Sequence, residues 1–226
     1  MTASAEPFQA EGDRAAVRGF LHRPPSAPRD GIVLTHGAGG NCQSPLLVAL
    51  AAAFAAAGLA ALRCDLPFRQ SRPKGPPSPA GAERDRDGLR EAARALREVA
   101  PGRVFLGGAS YGGRQASIAV ADDAAAADGL LLLSYPLHPP GRARDLRTGH
   151  FPRVRARTLF AHGTVDPFAS IEELEAARAL IPGPTALVVI DGAGHGLGRG
   201  PRAPQPAPET VARIIDAFAA LVDAAI

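Results

Sequence analysis

Val104-Phe105-Leu106-Gly107-Gly108-Ala109-Ser110-Tyr111-Gly112-Gly113-Arg114 is the stretch on which the reading of this chain turns. An apolar run leads into a G-x-S-x-G pattern formed by Gly108, Ser110 and Gly112, and a segment that reads as a helix follows. A serine hydroxyl is a weak nucleophile unless a base removes its proton and the residue is held clear of its surroundings. A sharp turn from strand to helix meets the second need. Its flanking positions must be small, because the backbone is pinched there and glycine tolerates the dihedrals. In a chain with 25 glycines the pattern alone is weak, so its context decides.

That context is chain order. Downstream, Thr158-Leu159-Phe160-Ala161 is an apolar run that ends in a polar turn carrying Asp166. Leu187-Val188-Val189-Ile190 is another, ending in the glycine-rich turn Gly192 to Gly198 that carries His195. Serine, acid and histidine therefore follow three separate strands, which predicts a catalytic set of Ser110, Asp166 and His195. Asp191 lies beside its strand and reads as structural. Asp65, which ends the run Leu59 to Leu62, reads as a reserve acid or a loop anchor. His162 is expected to bond within its own turn, while His138, in a loop, is a candidate substrate contact.

The run Gly31 to Thr35 ends in His36-Gly37-Ala38-Gly39-Gly40. Attack on a carbonyl builds negative charge on its oxygen, and two main-chain N–H groups aimed there stabilise it. The expected donors are Ala38, from this turn, and Tyr111, next to the nucleophile at its helix start. Gly37 and Gly39 are expected to let the backbone approach substrate. Neither a P-loop pattern nor a well-placed G-x-G-x-x-G is present, which argues against a nucleotide phosphate loop. No H-E-x-x-H, cysteine–histidine cluster or paired-carboxylate spacing occurs, so neither a metal site nor a cofactor is expected.

The elements alternate. Strands are expected at Val17–Leu21, Gly31–Thr35, Leu59–Leu62, Val104–Leu106, Leu130–Leu133, Thr158–Ala161 and Leu187–Ile190. Helices are expected at Leu46–Ala57, Ala82–Val99, Tyr111–Asp122, Ile171–Leu180 and Thr210–Ile226, with proline-rich loops at Arg69–Gly81 and Pro201–Pro208. Short continuous apolar runs suit strands buried on both faces, and alternation with helices implies parallel strands with right-handed crossovers. In such sheets ligands sit at the carboxyl ends of the strands, where every polar cluster above falls. The expectation is one α/β domain spanning 1–226, with a mostly parallel central sheet, helices on both faces and residues 1–12 flexible.

Hydrophobic content of 46% and charged content of 21% are those of a globular chain. The net charge is +3, nearly all cations are arginine with Lys74 the sole lysine, and acids are interspersed, so nucleic-acid binding has no motif behind it. Two cysteines, Cys42 and Cys64, make no disulfide framework. The acidic start and the lack of an apolar span lead to the expectation of a soluble cytoplasmic protein that does not engage membranes.

Taken together, HGAGG, RCDLPFRQSR, GGASYGGRQAS, LSYPLHPPGR, FAHGTVDPF and GAGHGL resemble the small α/β-hydrolase group of dienelactone-hydrolase-like proteins. That group includes testis-expressed protein thirty and the hydrolase-like domain of subunit three of the nonspecific-lethal complex. The resemblance spans about Gly31 to Gly198 and implies an α/β-hydrolase domain with Ser110, Asp166 and His195 as its triad. Many relatives carry methionine where this chain has Tyr111, which changes a pocket wall but not the backbone donor. The implied activity is a serine esterase acting on a small-molecule acyl substrate through an acyl-enzyme. The relatives within complexes open a competing reading, a silent interaction subunit, and a third is an acyltransferase or peroxidase-like relative using the same triad. A monomer or homodimer is expected, with a protein partner possible.

Two expectations concern the pocket. The stretch His138 to Arg157 is short and arginine-rich without apolar periodicity, so it makes a minimal lid and favours short, soluble esters. Arg69, Arg72, Arg114, Arg142 and Arg144 all belong to segments emerging at the sheet edge of Ser110, and their convergence would favour anionic substrates.

Overall fold

Runs such as Gly31–Thr35 and Gly129–Leu133, in which every residue is buried, cover both faces of a sheet with apolar side chains. In the computed structural model, which describes residues 5–200 and 206–224, these runs form the middle of one eight-stranded sheet. The strands are β1 (Ala5–Ala10), β2 (Val17–His22), β3 (Gly31–Thr35), β4 (Ala60–Cys64), β5 (Val104–Ala109), β6 (Gly129–Leu133), β7 (Arg157–Gly163) and β8 (Thr185–Ile190). Their spatial order is β1-β2-β4-β3-β5-β6-β7-β8. β1 and β2 are antiparallel additions, and the strands from β4 to β8 run parallel.

The main helices are α1 (Pro45–Ala56), α2 (Pro67–Ser71), α3 (Ala82–Arg97), α4 (Tyr111–Asp122), α5 (Ile171–Arg178) and α6 (Pro208–Asp223). Alternate strand residues feed two cores. Val33, Leu106, Leu130 and Leu132 pack with Leu89 and Leu96 of α3, Val120 of α4 and Leu174 of α5. Ile32, Leu34, Phe105 and Leu131 pack with Leu47 and Phe54 of α1 and Ile214 and Phe218 of α6 on the other face. Phe218 stands edge-on to both Phe54 and Phe105, with centroids 5.4 and 5.1 Å apart, a geometry worth about 1 kcal/mol per pair beyond burial.

Two sequence expectations are corrected. Residues 1–12 were expected to be flexible, yet Ala5–Ala10 pairs along its full length with β2. Phe8 and Ala10 pack against the core, and Pro7 is tolerated because the strand lies at an edge. The loop Arg69–Gly81 also begins inside structure: Pro67 at the first turn starts the short helix α2, and Pro79–Gly81 forms a further single turn. The second proline-rich loop lies mostly outside the described residues.

Much of the arginine surplus fastens the fold. Arg103 and Arg157, at the starts of β5 and β7, donate to the carbonyls of Val222, Leu221 and Ala224 at 2.8–3.0 Å, closing the C-terminal end of α6. On α3, Arg86, Arg90 and Arg94 pair with Glu83, Asp87 and Glu91 one turn earlier.

Candidate active site

β3 lies between β4 and β5, so the chain leaves it in one direction across the sheet and returns on the other side. The crevice beyond the carboxyl ends of β3 and β5 is a topological switch point. The His36–Gly40 turn and Ser110 emerge there.

Ser110 has φ 50° and ψ −115°, a conformation that non-glycine residues rarely adopt. Its own N–H donates to Leu133 O at 2.8 Å, and its carbonyl accepts Arg114 N–H at 3.0 Å as α4 begins. The surrounding glycines are dictated by contact. A Cβ on Gly112 would lie 2.5 Å from His36 O, and one on Gly108 would lie 2.6 Å from the Gly112 carbonyl carbon. A Cβ on Gly113 would lie 2.6 Å from Gly108 O. Strand, helix and glycine turn therefore meet with no room for a methyl group between them.

The His36–Gly40 turn lies against the serine: a Cβ on Gly37 would be 3.3 Å from Ser110 Cβ and 3.9 Å from its Oγ. Gly39, by contrast, faces open space. The turn is anchored from the end of β4. Arg69 Nε donates to Gly40 O at 2.8 Å, and its Nη2 donates to Ala38 O at 2.9 Å. Arg63 Nη1 donates to Cys42 O, and Asp65 Oδ1 accepts Cys42 N–H at 2.7 Å. His36 Nδ1–H donates to Gly37 O while its Nε2 accepts Leu66 N–H, an arrangement that requires a neutral ring. Burial lowers its pKa and favours that state. Asp65 is thus a loop anchor.

Tyr111 Oη donates to Asp85 at 2.8 Å, and Asp85, fully buried, also accepts Phe68 N–H. Burial raises both pKa values, so Asp85 acts as a fixed strut between α2, α3 and the start of α4.

Asp166 and His195 meet across the ends of β7 and β8. Asp166 Oδ2 lies 2.8 Å from His195 Nδ1, and Oδ1 accepts Phe168 N–H at 2.9 Å. The Asp166 carboxylate is shut away from solvent whereas the His195 ring is 30% exposed. Phe168 packs on that ring at a tilt of 33°, with centroids 4.2 Å apart, a contact with no sequence signal beyond proximity to Asp166. Val165 N–H donates to Ala193 O, locking the two turns together. Asp191 takes the Thr164 hydroxyl at 3.3 Å and is structural. His162 Nε2–H donates to Ala169 O at 3.0 Å, within its turn. Among the described residues no hydrogen bond joins Ser110 Oγ to the His195 ring.

Other expectations are revised. His138, expected at substrate, has both ring nitrogens engaged: Nδ1 with Pro139 O at 2.9 Å and Nε2 with Glu173 at 3.2 Å. It ties the loop after β6 to the first turn of α5. The five arginines do not converge. Arg69 is buried in the anchoring just described, and Arg72 donates to Pro76 O from the surface. Arg142 pairs with Asp145 in solvent and Arg144 is exposed. Arg114 alone of the five lines a cleft that reaches Ala38 and Tyr111. The cleft wall is the proline-rich segment Pro76–Pro79, whose role the sequence did not reveal. Cys42 is buried, and burial and the neighbouring Asp65 push its thiol up to about 12, which disfavours a thiolate there.

Between β6 and β7 no helix longer than the turn Phe151–Arg153 forms, so no large cap stands over the site. Among the described residues no helix is long and apolar enough to cross a membrane.

Comparison with known proteins agrees with this architecture. The fold is shared with an α/β serine hydrolase homologue from Coxiella burnetii, at 18% identity and TM-score 0.70, covering 98% of this chain and 97% of that one. A dienelactone hydrolase from Anabaena variabilis superposes at TM-score 0.73 and 23% identity, over 98% and 97% of the two chains. Est1E from Butyrivibrio proteoclasticus does so at 0.76 and 14% identity, over 98% and 100%. Residues 28–223 match the α/β hydrolase domain family, and with a sheet, switch point and strained serine of this kind the chain belongs to that family.

Proposed function

We propose that this protein is a serine hydrolase that cleaves an ester or related acyl bond of a small, soluble substrate through an acyl-enzyme. The observation that carries the reading is the 2.8 Å contact between Asp166 and His195 Nδ1, with Ser110 held in a strained turn at the same sheet edge. Asp166 fixes the tautomer that leaves His195 Nε2 free to accept a proton. In the proposed reaction His195 takes the Ser110 proton as Oγ bonds to the substrate carbonyl carbon. The resulting imidazolium returns the proton to the departing alcohol. Water then attacks the acyl-enzyme with the same base, releasing the acid and free Ser110. Main-chain N–H groups of Ala38 and Tyr111 are the proposed oxyanion donors, a role supported by the approach of the Gly37 turn to Ser110. The absence of a long helix between β6 and β7 supports short, water-soluble acyl groups over long lipids.

The test is labelling with a fluorophosphonate probe beside hydrolysis of 4-nitrophenyl acetate and 4-nitrophenyl palmitate. The expected result is a probe adduct on Ser110, turnover of the acetate well above that of the palmitate, and loss of both adduct and turnover in Ser110→Ala. Absence of labelling and turnover in the folded protein would favour a silent interaction subunit.

A further inference from the structure

The cleft beside Ala38 and Tyr111 has a volume of about 410 Å³, and its walls are the segment Pro76–Pro79 and one side of α4. Two cations line it, Arg86 and Arg114. Their circumstances differ. Arg86 pairs with Glu83 and donates to Gln115 Oε1 at 3.0 Å. Both Nε atoms are buried with no hydrogen-bond partner, but Arg86 keeps partners on its other two nitrogens, whereas among the described residues neither a hydrogen bond nor a carboxylate meets the Arg114 guanidinium. The acids nearby are already engaged. Asp85 holds Tyr111 Oη and Phe68 N–H, and Glu83 holds Arg86 and Arg90. The neighbours whose fields Arg114 opposes are cations or neutral groups: its charge works against protonation of Arg147 and of His150.

A half-buried guanidinium loses hydration, and folded chains ordinarily return that loss with a carboxylate or carbonyl partner. Here the described residues supply none. The guanidinium is a planar fork suited to two parallel N–H···O bonds with a carboxylate. Its position on the chain also matters, because Arg114 is the residue whose N–H bonds Ser110 O, one helical turn beyond the nucleophile.

From these observations we infer that Arg114 is the specificity-determining residue of an anion subsite, and that the substrate is an ester carrying a carboxylate a few carbons from the reacting carbonyl. Arg114 follows Ser110 by four residues and lines the same cleft as Ala38 and Tyr111, which keeps that spacing short. The inference rests on the hydrolase reading for the identity of the reacting carbonyl. The subsite itself is a matter of binding and can be measured without turnover.

The experiment is calorimetric titration of the Ser110→Ala protein with monoethyl glutarate and with ethyl pentanoate, two esters of equal acyl length. The expected result is an affinity for the anionic ester at least about tenfold higher at low ionic strength, shrinking as salt is added. Adding Arg114→Gln should bring the two affinities together, and Arg114→Lys should retain part of the difference. Adding Arg142→Gln instead, at an exposed arginine paired with Asp145, should leave the preference in place. Equal affinities, no measurable binding of the anionic ester, or a preference that survives Arg114→Gln would overturn the subsite. Hydrolysis of ethyl pentanoate by the unmodified protein judges the hydrolase reading separately, so a failure of one is distinguishable from a failure of the other.

Discussion

Arg69 donates through one guanidinium nitrogen to the carbonyl of Ala38 at 2.9 Å, gripping the residue whose N–H is proposed to face the substrate oxyanion. It reaches the turn from α2, thirty-one residues away in sequence, and bonds Gly40 O with the adjacent nitrogen. Losing one oxyanion donor typically costs 10²–10³ in kcat. In Arg69→Ala the donor remains but is no longer held, so a fall in kcat of about tenfold or more is expected, with a smaller change in KM. Arg69→Lys presents a point charge in place of the fork and should recover only part of it. Steady-state kinetics on a short neutral ester decide this; unchanged kcat in Arg69→Ala would show that the turn needs no such anchor.

Asp166→Asn keeps an acceptor for Phe168 N–H but offers His195 a mixed partner that no longer fixes its tautomer. The expected loss in kcat is on the order of 10³–10⁴, with KM nearly constant. Asp191→Asn, which alters only the bond to Thr164, should stay within a few-fold of the parent. A reversal of those two effects would move the acid from β7 to β8.

Glycines of the site should respond in opposite ways to the same substitution. Gly112→Ala would drive a methyl to 2.5 Å from His36 O and 2.6 Å from Thr35 Cγ2, with backbone on one side unable to yield. A cost of about 1–3 kcal/mol or more is expected, along with loss of probe labelling at Ser110. Gly39→Ala meets nothing within 4 Å and should fold with parent-like stability. Thermal melts of the two variants provide the comparison.

Buried neutral histidines make the fold sensitive to acid. Burial and, at His22, the Arg63 guanidinium lower the pKa values of His22 and His150 from 6.5 to about 4. The unfolded chain therefore takes up these protons first. Stability is independent of them above pH 6.5, declines as pH falls from 6.5 to 4, and levels off below. Each such histidine steepens the slope by up to about 1.4 kcal/mol per pH unit within that window. His22→Gln can still accept the Arg63 Nε–H and does not titrate, so urea midpoints between pH 7 and pH 4.5 should fall less steeply for it than for the parent. Parallel slopes would assign the acid sensitivity elsewhere.

The parallel sheet and the order of serine, acid and histidine were legible in the sequence because each rests on a local pattern. Fully buried strands read as unbroken apolar runs, and each polar cluster sat directly after one. What escaped reading depends on distant partners. Ala5–Ala10 has no apolar run, since an edge strand buries little, and only its ladder with β2 defines it. His138 looked available because nothing in its neighbourhood announces Glu173, thirty-five residues later. Arg69 and Arg114 looked alike as surplus cations. Only the packing of α2 against the His36–Gly40 turn separates a buried anchor from a cation that no side chain among the described residues pairs with.

β8 leads into the turn that carries His195, and among the described residues it is hydrogen-bonded to one neighbouring strand only, β7. Four of its six residues are partly open to solvent, whereas β3, which leads to the oxyanion turn, is sealed along its whole length. The proposed base therefore follows an edge strand, which frays before the centre of the sheet, and the nucleophile and its turn follow strands that open only with the whole sheet. On gentle heating, esterase activity should vanish several degrees before the far-ultraviolet dichroism of the sheet, and return on cooling. A molecule of this design would lose its chemistry before it exposes its core, and so would idle rather than aggregate at the upper edge of its temperature range.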